Sequence, residues 1–203
     1  MVRSDASGDA PKAANATVEV LCDGYITDEG RVGSTVSLIR DGDAVVVVDP
    51  GMVASWGVIL EPLERLGMRA GDVTDVVFSH HHPDHTLNAA LFPAARYHDH
   101  WAIYQGDHWV DRDADGFQLS DSIRLLETPG HTPQDITTLA GTADGVVAFT
   151  HLWWSAAGPA EDPYATDPDA LHAGRRRVLA IAGLGLIVPG HGAAFRPDAT
   201  TPR

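Results

Sequence analysis

Apolar and polar residues alternate along Thr17–Tyr25 and Gly33–Arg40, the period of strands with one buried face. Asp41-Gly42-Asp43 is a turn signal, and the β-branched run Ala44–Val48 behind it reads as a buried strand. These three strands predict an antiparallel opening. Asp49-Pro50-Gly51 ends the third. Val58, Ile59, Pro62, Leu63 and Leu66 then share one face of a helix over about Ala54–Leu66, which Pro62 is expected to kink or shorten. Asp75–Ser79 reads as another buried strand. A short helix at Thr86–Leu91, a short strand at Arg96–His98 and a helix at Asp99–Gln105 complete the first half.

The second half follows the same plan. Gly116–Leu119, Ser122–Thr128, Asp135–Ala140 and Gly145–Phe149 read as strands, Asp169–Ile181 as a helix and Leu186–Val188 as a last strand. Asp167 or Asp169 is placed to cap that helix, and Arg175–Arg177 read as a basic run on its solvated face. Two halves, each mostly sheet with helices, predict an α/β fold: a four-layer αββα sandwich in one domain over residues 17–203. Residues 1–16 lack the apolar core of a secretory signal and read as a disordered tail.

Composition narrows the function. The net charge of −14 repels phosphate backbones and anionic membranes at long range, which disfavours a nucleic-acid partner and leaves a small molecule as the expected substrate. No apolar run approaches the roughly 18–20 residues that span a bilayer. The one cysteine, Cys22, has no partner for a disulfide and reads as a structural thiol, so a cytoplasmic location is the default expectation.

The chemistry concentrates in Ser79-His80-His81-His82-Pro83-Asp84-His85, which follows directly on a predicted strand. In extended backbone His80 and His82 point to one side and His81 to the other; Asp84 and His85 lie at the turn into the next element. Imidazole and carboxylate together suit zinc, iron or manganese. A His-rich run is often only a loose metal-binding tract, but this one interrupts a strand–helix unit and includes an aspartate.

His80-x-His82-x-Asp84-His85 resembles the signature of the metallo-β-lactamase fold superfamily, and Val48-Asp49-Pro50-Gly51, Thr128-Pro129-Gly130-His131 and Val188-Pro189-Gly190-His191 follow in the family's order. The stretch Leu21–Tyr25 and the ending Gly192–Arg196 look similar to its small metallo-β-lactamase domain-containing protein 1 group. The resemblance implies one metal held by His80, His82 and His131 and a second by Asp84, His85 and His191, with Asp49 orienting a ligand or water from behind. It implies a hydrolase with two zinc ions (iron or manganese in their place being compatible), in which a metal-bound hydroxide attacks an ester, lactone, thioester or phosphodiester. Asp84 would ligate and also orient the nucleophile.

One position departs from the family. Many dinuclear members carry a bridging aspartate where Val147–Leu152 here carries His151. A carboxylate bridges two cations; a neutral imidazole binds one. His151 would therefore be a terminal ligand beside a bridging hydroxide, the mark of a single-metal site, or a proton donor or wall outside the coordination sphere. A mononuclear iron oxygenase acting on a persulfide-like thiol, and a metal-binding protein with little activity, are the alternatives. Trp56, Trp153, Trp154 and Tyr164 are the aromatic candidates for a substrate pocket.

Overall fold

The computed structural model describes residues 8–203. Its strands form two main sheets. The first has seven strands in the order β1-β4-β5-β6-β7-β8-β9. They are β1 (Thr17–Cys22), β4 (Val36–Asp41), β5 (Ala44–Val48), β6 (Asp75–Val77), β7 (Arg96–His98), β8 (Ala102–Gln105) and β9 (His108–Asp111). The second has five in the order β10-β11-β12-β13-β14: Gln118–Ser120, Ile123–Glu127, Ile136–Thr142, Gly145–Thr150 and Leu184–Pro189. A separate two-stranded ribbon pairs β2 (Tyr25–Ile26) with β3 (Val32–Gly33). The helices are α1 (Gly57–Arg65), α2 (Pro83–Thr86) and α3 (Pro168–Leu179).

Strand alternation sorts the apolar residues into three cores and so makes four layers. Ile39, Val46, Val48 and Val77 of the first sheet meet Leu125, Ala140, Val147, Phe149 and Val188 of the second. The intervening residues Leu38, Val47 and Val76 pack outward on Ile59 and Leu63 of α1. Leu126, Leu139, Ala148 and Ile187 pack outward on Leu171 and Val178 of α3. The predicted αββα sandwich is what forms.

Several local expectations are corrected. Asp99–Gln105, read as a helix, is a turn followed by β8, which pairs with β9 across Gly106-Asp107. Asp99 Oδ1 accepts the N–H groups of Trp101 and Ala102, and Gly106 has φ +61, so side-chain capping and a glycine turn override the helical reading. The short helix expected at Thr86–Leu91 does not form as one element: α2 starts with Pro83 at its first position and ends at Thr86, and a single 3-10 turn covers Ala89–Leu91. Arg175 is not on a solvated face. It is fully buried, and its guanidinium donates to the carbonyls of Leu152, Pro159 and Ala160. Asp167 does cap α3, accepting from Ala170 N.

Of the expected tail, residues 1–7 lie outside the described residues. The rest is anchored: Asp9 forms a two-pronged pair with Arg177 at 2.7 and 3.0 Å, and Ala13 and Ala16 donate backbone bonds to Asp121 and Gly141. Composition could not foresee a partner supplied from the far end of the chain. Cys22 is half-buried and packs at the edge of the α1 core, and burial pushes its thiol up.

Candidate metal centre

β5, β6 and β7 run parallel, as do β13 and β14. The histidines follow the carboxyl ends of strands from both sheets: His80 after β6, His131 after β11, His151 after β13 and His191 after β14. Ile136 N donates to Ser79 O at 2.8 Å, tying the two sheets together directly beneath them. Two glycines permit the close approach of the loops. A Cβ on Gly51 would lie 1.6 Å from Asp84 O, and one on Gly190 would lie 2.5 Å from His151 Cδ2.

The structure brings His80, His82 and His131 together in one group and Asp84, His85 and His191 in another, each with ligand atoms within 4.8 Å of one another. His82 Nδ1 lies 3.0 Å from His80 Nε2 and 3.1 Å from His131 Nε2. Asp84 Oδ2 lies 3.4 Å from His85 Nε2 and 3.5 Å from His191 Nε2. His151 sits between the groups, its ring 4.2 Å from that of His131, 4.5 Å from His80 and 4.8 Å from His85. Its Nε2 faces His191 Nε2 at 3.1 Å. His81 turns away, as alternation requires, and binds Asp99 at 2.8 Å.

The outer partners fix what these rings present inward. His85 Nδ1 meets the Asp49 carboxylate at 2.8 Å, His131 Nδ1 meets Asp162 at 2.7 Å, and His191 Nδ1 meets the Gly33 carbonyl at 3.0 Å. Each partner is an acceptor, so each Nδ1 carries the proton and each Nε2 turns a lone pair inward. His80 joins by a relay. Ser79 Oγ donates to Asp49 Oδ2 at 2.7 Å and accepts from His80 Nδ1 at 3.0 Å. Four lone pairs thus converge on a small buried volume with the Asp84 carboxylate, while His85 Nε2 and His151 Nδ1 are buried without a hydrogen-bond partner. Acceptors crowded together are costly unless a donor or a cation sits among them. This donor set fits divalent metal.

Charge follows the same arrangement. Burial drives the His80 and His151 imidazoles well below their usual range, and the neighbouring imidazoles push the same way. Burial, then His131, lowers His82; burial, then His85, lowers His191. His85 is the exception: burial opposes its charge, but the Asp49 carboxylate outweighs it and raises the group. Asp49 itself adopts φ 51, rare for a residue with a Cβ, and is pinned there by Ser79 N–H at 2.6 Å and by the Ser34 hydroxyl on its carbonyl.

A cavity of about 430 Å³ opens on the cluster, lined by His82, Asp84, His131, His151 and His191 together with Ile26, Val32, Trp154 and Tyr164. Trp154 and Tyr164 stack at 5.7 Å. Two aromatic candidates fall elsewhere. Trp153 is wholly buried in the α3 core beside Leu152, with Nε1 donating to Pro202 O. Trp56 is exposed, bonded to Asn88 at 2.9 Å, and lines a separate hollow. Asp162 was not foreseen, since nothing in its loop's sequence marks it as the partner of a histidine 31 positions away.

The model of the family described as "Metallo-beta-lactamase superfamily" matches residues 30–160. The chain belongs to the metallo-β-lactamase superfamily. It is similar to Metallo-beta-lactamase domain-containing protein 1 of Xenopus laevis, at 30% identity over 89% of this chain and 81% of that protein. Among solved structures it resembles a metallo-β-lactamase of Thermotoga maritima, with TM-score 0.71 and 21% identity over 90% of this chain and 100% of that one. It also resembles an N-acyl homoserine lactone hydrolase with its product bound at the catalytic metal centre, with TM-score 0.63 and 18% identity over 90% and 94% of the two chains. These two share the fold. Among the described residues no helix is long and apolar enough to cross a membrane.

Proposed function

We propose that the protein is a metal-dependent hydrolase of small carbonyl or phosphoryl substrates. The observation that carries this reading is the convergence of imidazole lone pairs, each set by an acceptor behind its ring, at the floor of an open cavity. His80, His82 and His131 would hold one ion and Asp84, His85 and His191 a second, with His151 as a terminal ligand between them. A bound dication, zinc being the first choice and iron or manganese compatible, supplies an acidified water and polarises the bond to be broken.

The chain's own residues do the rest. Asp49, Asp162 and the Gly33 carbonyl hold the rings in the tautomer a metal needs. Asp84 is 19% exposed on its side chain, so one carboxylate edge reaches the cavity and is placed to accept a proton from an attacking water. The solved lactone hydrolase, with its product at the metal centre, is a relative in fold with that chemistry.

The test is turnover of chromogenic esters, thioesters, lactones and phosphodiesters before and after chelation. Activity lost with chelator and restored by zinc or manganese is the expected result. Absence of chelator-sensitive turnover on every substrate class overturns the proposal.

A further inference from the structure

The walls of the cavity say more about the substrate than its floor does. Nothing that lines it is lysine or arginine; its titratable lining groups, apart from Tyr164, are Asp84 and the histidines. Ile26, of which 46% is exposed, and Val32 form one wall, both on the β2–β3 ribbon. Trp154 and Tyr164 form the other, their stacked rings nearly parallel at an angle of 11°. Trp154 is fixed, since its Nε1 donates to Asp162 Oδ2 at 3.3 Å, while Tyr164 is 71% exposed and extends the platform to the mouth. The segments that carry these walls are acidic: Asp28 and Glu29 against Arg31 on one side, Glu161, Asp162 and Asp167 with no cation on the other.

A site built for a polyanion shows the opposite. Phosphate backbones are held by lysine, arginine and backbone N–H groups arrayed along the strand. Here a flanking phosphate would meet apolar wall or carboxylate. An uncharged substrate meets no such penalty, and an aliphatic or aromatic group loses water against the Trp154–Tyr164 face and the Ile26–Val32 wall. We infer that the site takes an uncharged ester, thioester or lactone bearing an apolar acyl group, and discriminates against phosphodiesters and nucleic acid. The inference rests on the hydrolase reading for the reaction, but its binding half stands on the walls alone.

Two measurements separate them. In the first, N-octylpyrrolidone, an uncharged lactam that is not turned over, is titrated calorimetrically into the protein as isolated and after chelation, beside a single-stranded oligodeoxynucleotide at 0.15 M salt. Saturable lactam binding in both forms, weakened about tenfold by Trp154→Ala and by Tyr164→Ala, is expected, with no binding of the oligonucleotide. Tyr164→Ala lies at an exposed position and guards against misfolding of the other variant. In the second, kcat/KM is compared for p-nitrophenyl octanoate, p-nitrophenyl acetate and bis(p-nitrophenyl) phosphate. The octanoate is expected to exceed the acetate through KM, and Ile26→Arg to shift preference towards the phosphodiester. Oligonucleotide binding tighter than lactam binding, a phosphodiester preferred over both esters, or lactam binding unmoved by either aromatic variant overturns the inference. Lactam binding without chelator-sensitive turnover sinks the hydrolase reading and leaves the binding claim intact.

Discussion

His151 and His191 face each other Nε2 to Nε2 at 3.1 Å, and the Gly33 carbonyl behind His191 fixes its inward atom as a lone pair. Burial lowers both rings below the ordinary imidazole range, that of His151 well below it. The pair is therefore a donor to an acceptor without metal, or two ligands with it. Replacing His151 with alanine is expected to lower the metal content by up to one ion per chain and weaken retention of the other, as read by elemental analysis of protein purified without chelator. His81→Ala, whose ring points away to Asp99, is expected to leave the content unchanged. His151→Asp restores the carboxylate common in relatives and is expected to tighten the paired site, since its two oxygens reach two cations. Unaltered metal content in His151→Ala would place the residue outside the coordination sphere.

Asp162 joins two parts of the site through one oxygen, accepting from His131 Nδ1 at 2.7 Å and from Trp154 Nε1 at 3.3 Å. Its carboxylate is held below the usual range: burial works to raise it, and the bonds from His131, Tyr164 N–H and Trp154 together outweigh that. Asp162→Ala frees the His131 tautomer, and metal affinity is expected to fall about 10–100-fold, as when other outer partners of metal-bound histidines are removed. Competition with a fluorescent zinc chelator measures this. The KM for an apolar ester should rise as Trp154 loses its anchor, a change that loss of metal alone does not produce.

The clustering of the histidines was legible because spacing in an extended run decides which side each residue faces, and His80, His82 and His81 obey it. The three cores were legible for the same reason, as Val46, Val47 and Val48 alternate between them. Trp153 and Trp154 lie in the turn beyond β13, where no strand period says which side each faces, and Leu152 and Trp153 both join the α3 core. What stayed hidden depends on distant partners. Asp162, the Gly33 carbonyl and the β2–β3 wall reach the site only through the folded chain, and no local period encodes them. The β8–β9 hairpin was hidden differently: Gly106-Asp107 is a turn signal, but the preceding residues mimic a helical face.

Arg175 holds the loop that carries the aromatic wall. Its guanidinium lies 5.8 Å from the Trp153 ring centre and donates to three carbonyls between Leu152 and Ala160. Bonds from a charged donor contribute about 1.5–3 kcal/mol each in favourable cases, and their loss here strands the buried Leu152 carbonyl. Arg175→Ala is expected to cost at least about 3 kcal/mol in urea denaturation. Arg176→Ala, at an exposed site on the same helix, is expected to change stability by less than about 0.5 kcal/mol.

A buried cluster away from the candidate metal centre contributes to acid sensitivity. Asp75 is wholly buried, 2.7 Å from His98 Nε2 and 2.9 Å from Arg96. Burial works to raise its carboxylate, but bonds from His98, Arg96 and Thr74 outweigh this and hold it below the ordinary range. A depressed folded value means that its contribution is present above the unfolded value of about 3.9 and is lost as pH falls through the folded one. His98 is lowered by burial despite the carboxylate, so the unfolded chain takes up its proton first as pH drops below about 6.5. Both groups make the native state lose stability on acidification, His98 first and Asp75 last. Asp75→Asn removes the carboxylate, and its deficit relative to the unaltered protein is expected to persist from pH 7 down to about 4 and to shrink below that, as Asp75 of the unaltered protein loses its own contribution. Urea midpoints measured between pH 3 and 7 on both proteins give this difference directly, and a deficit independent of pH would remove Asp75 from the acid transition.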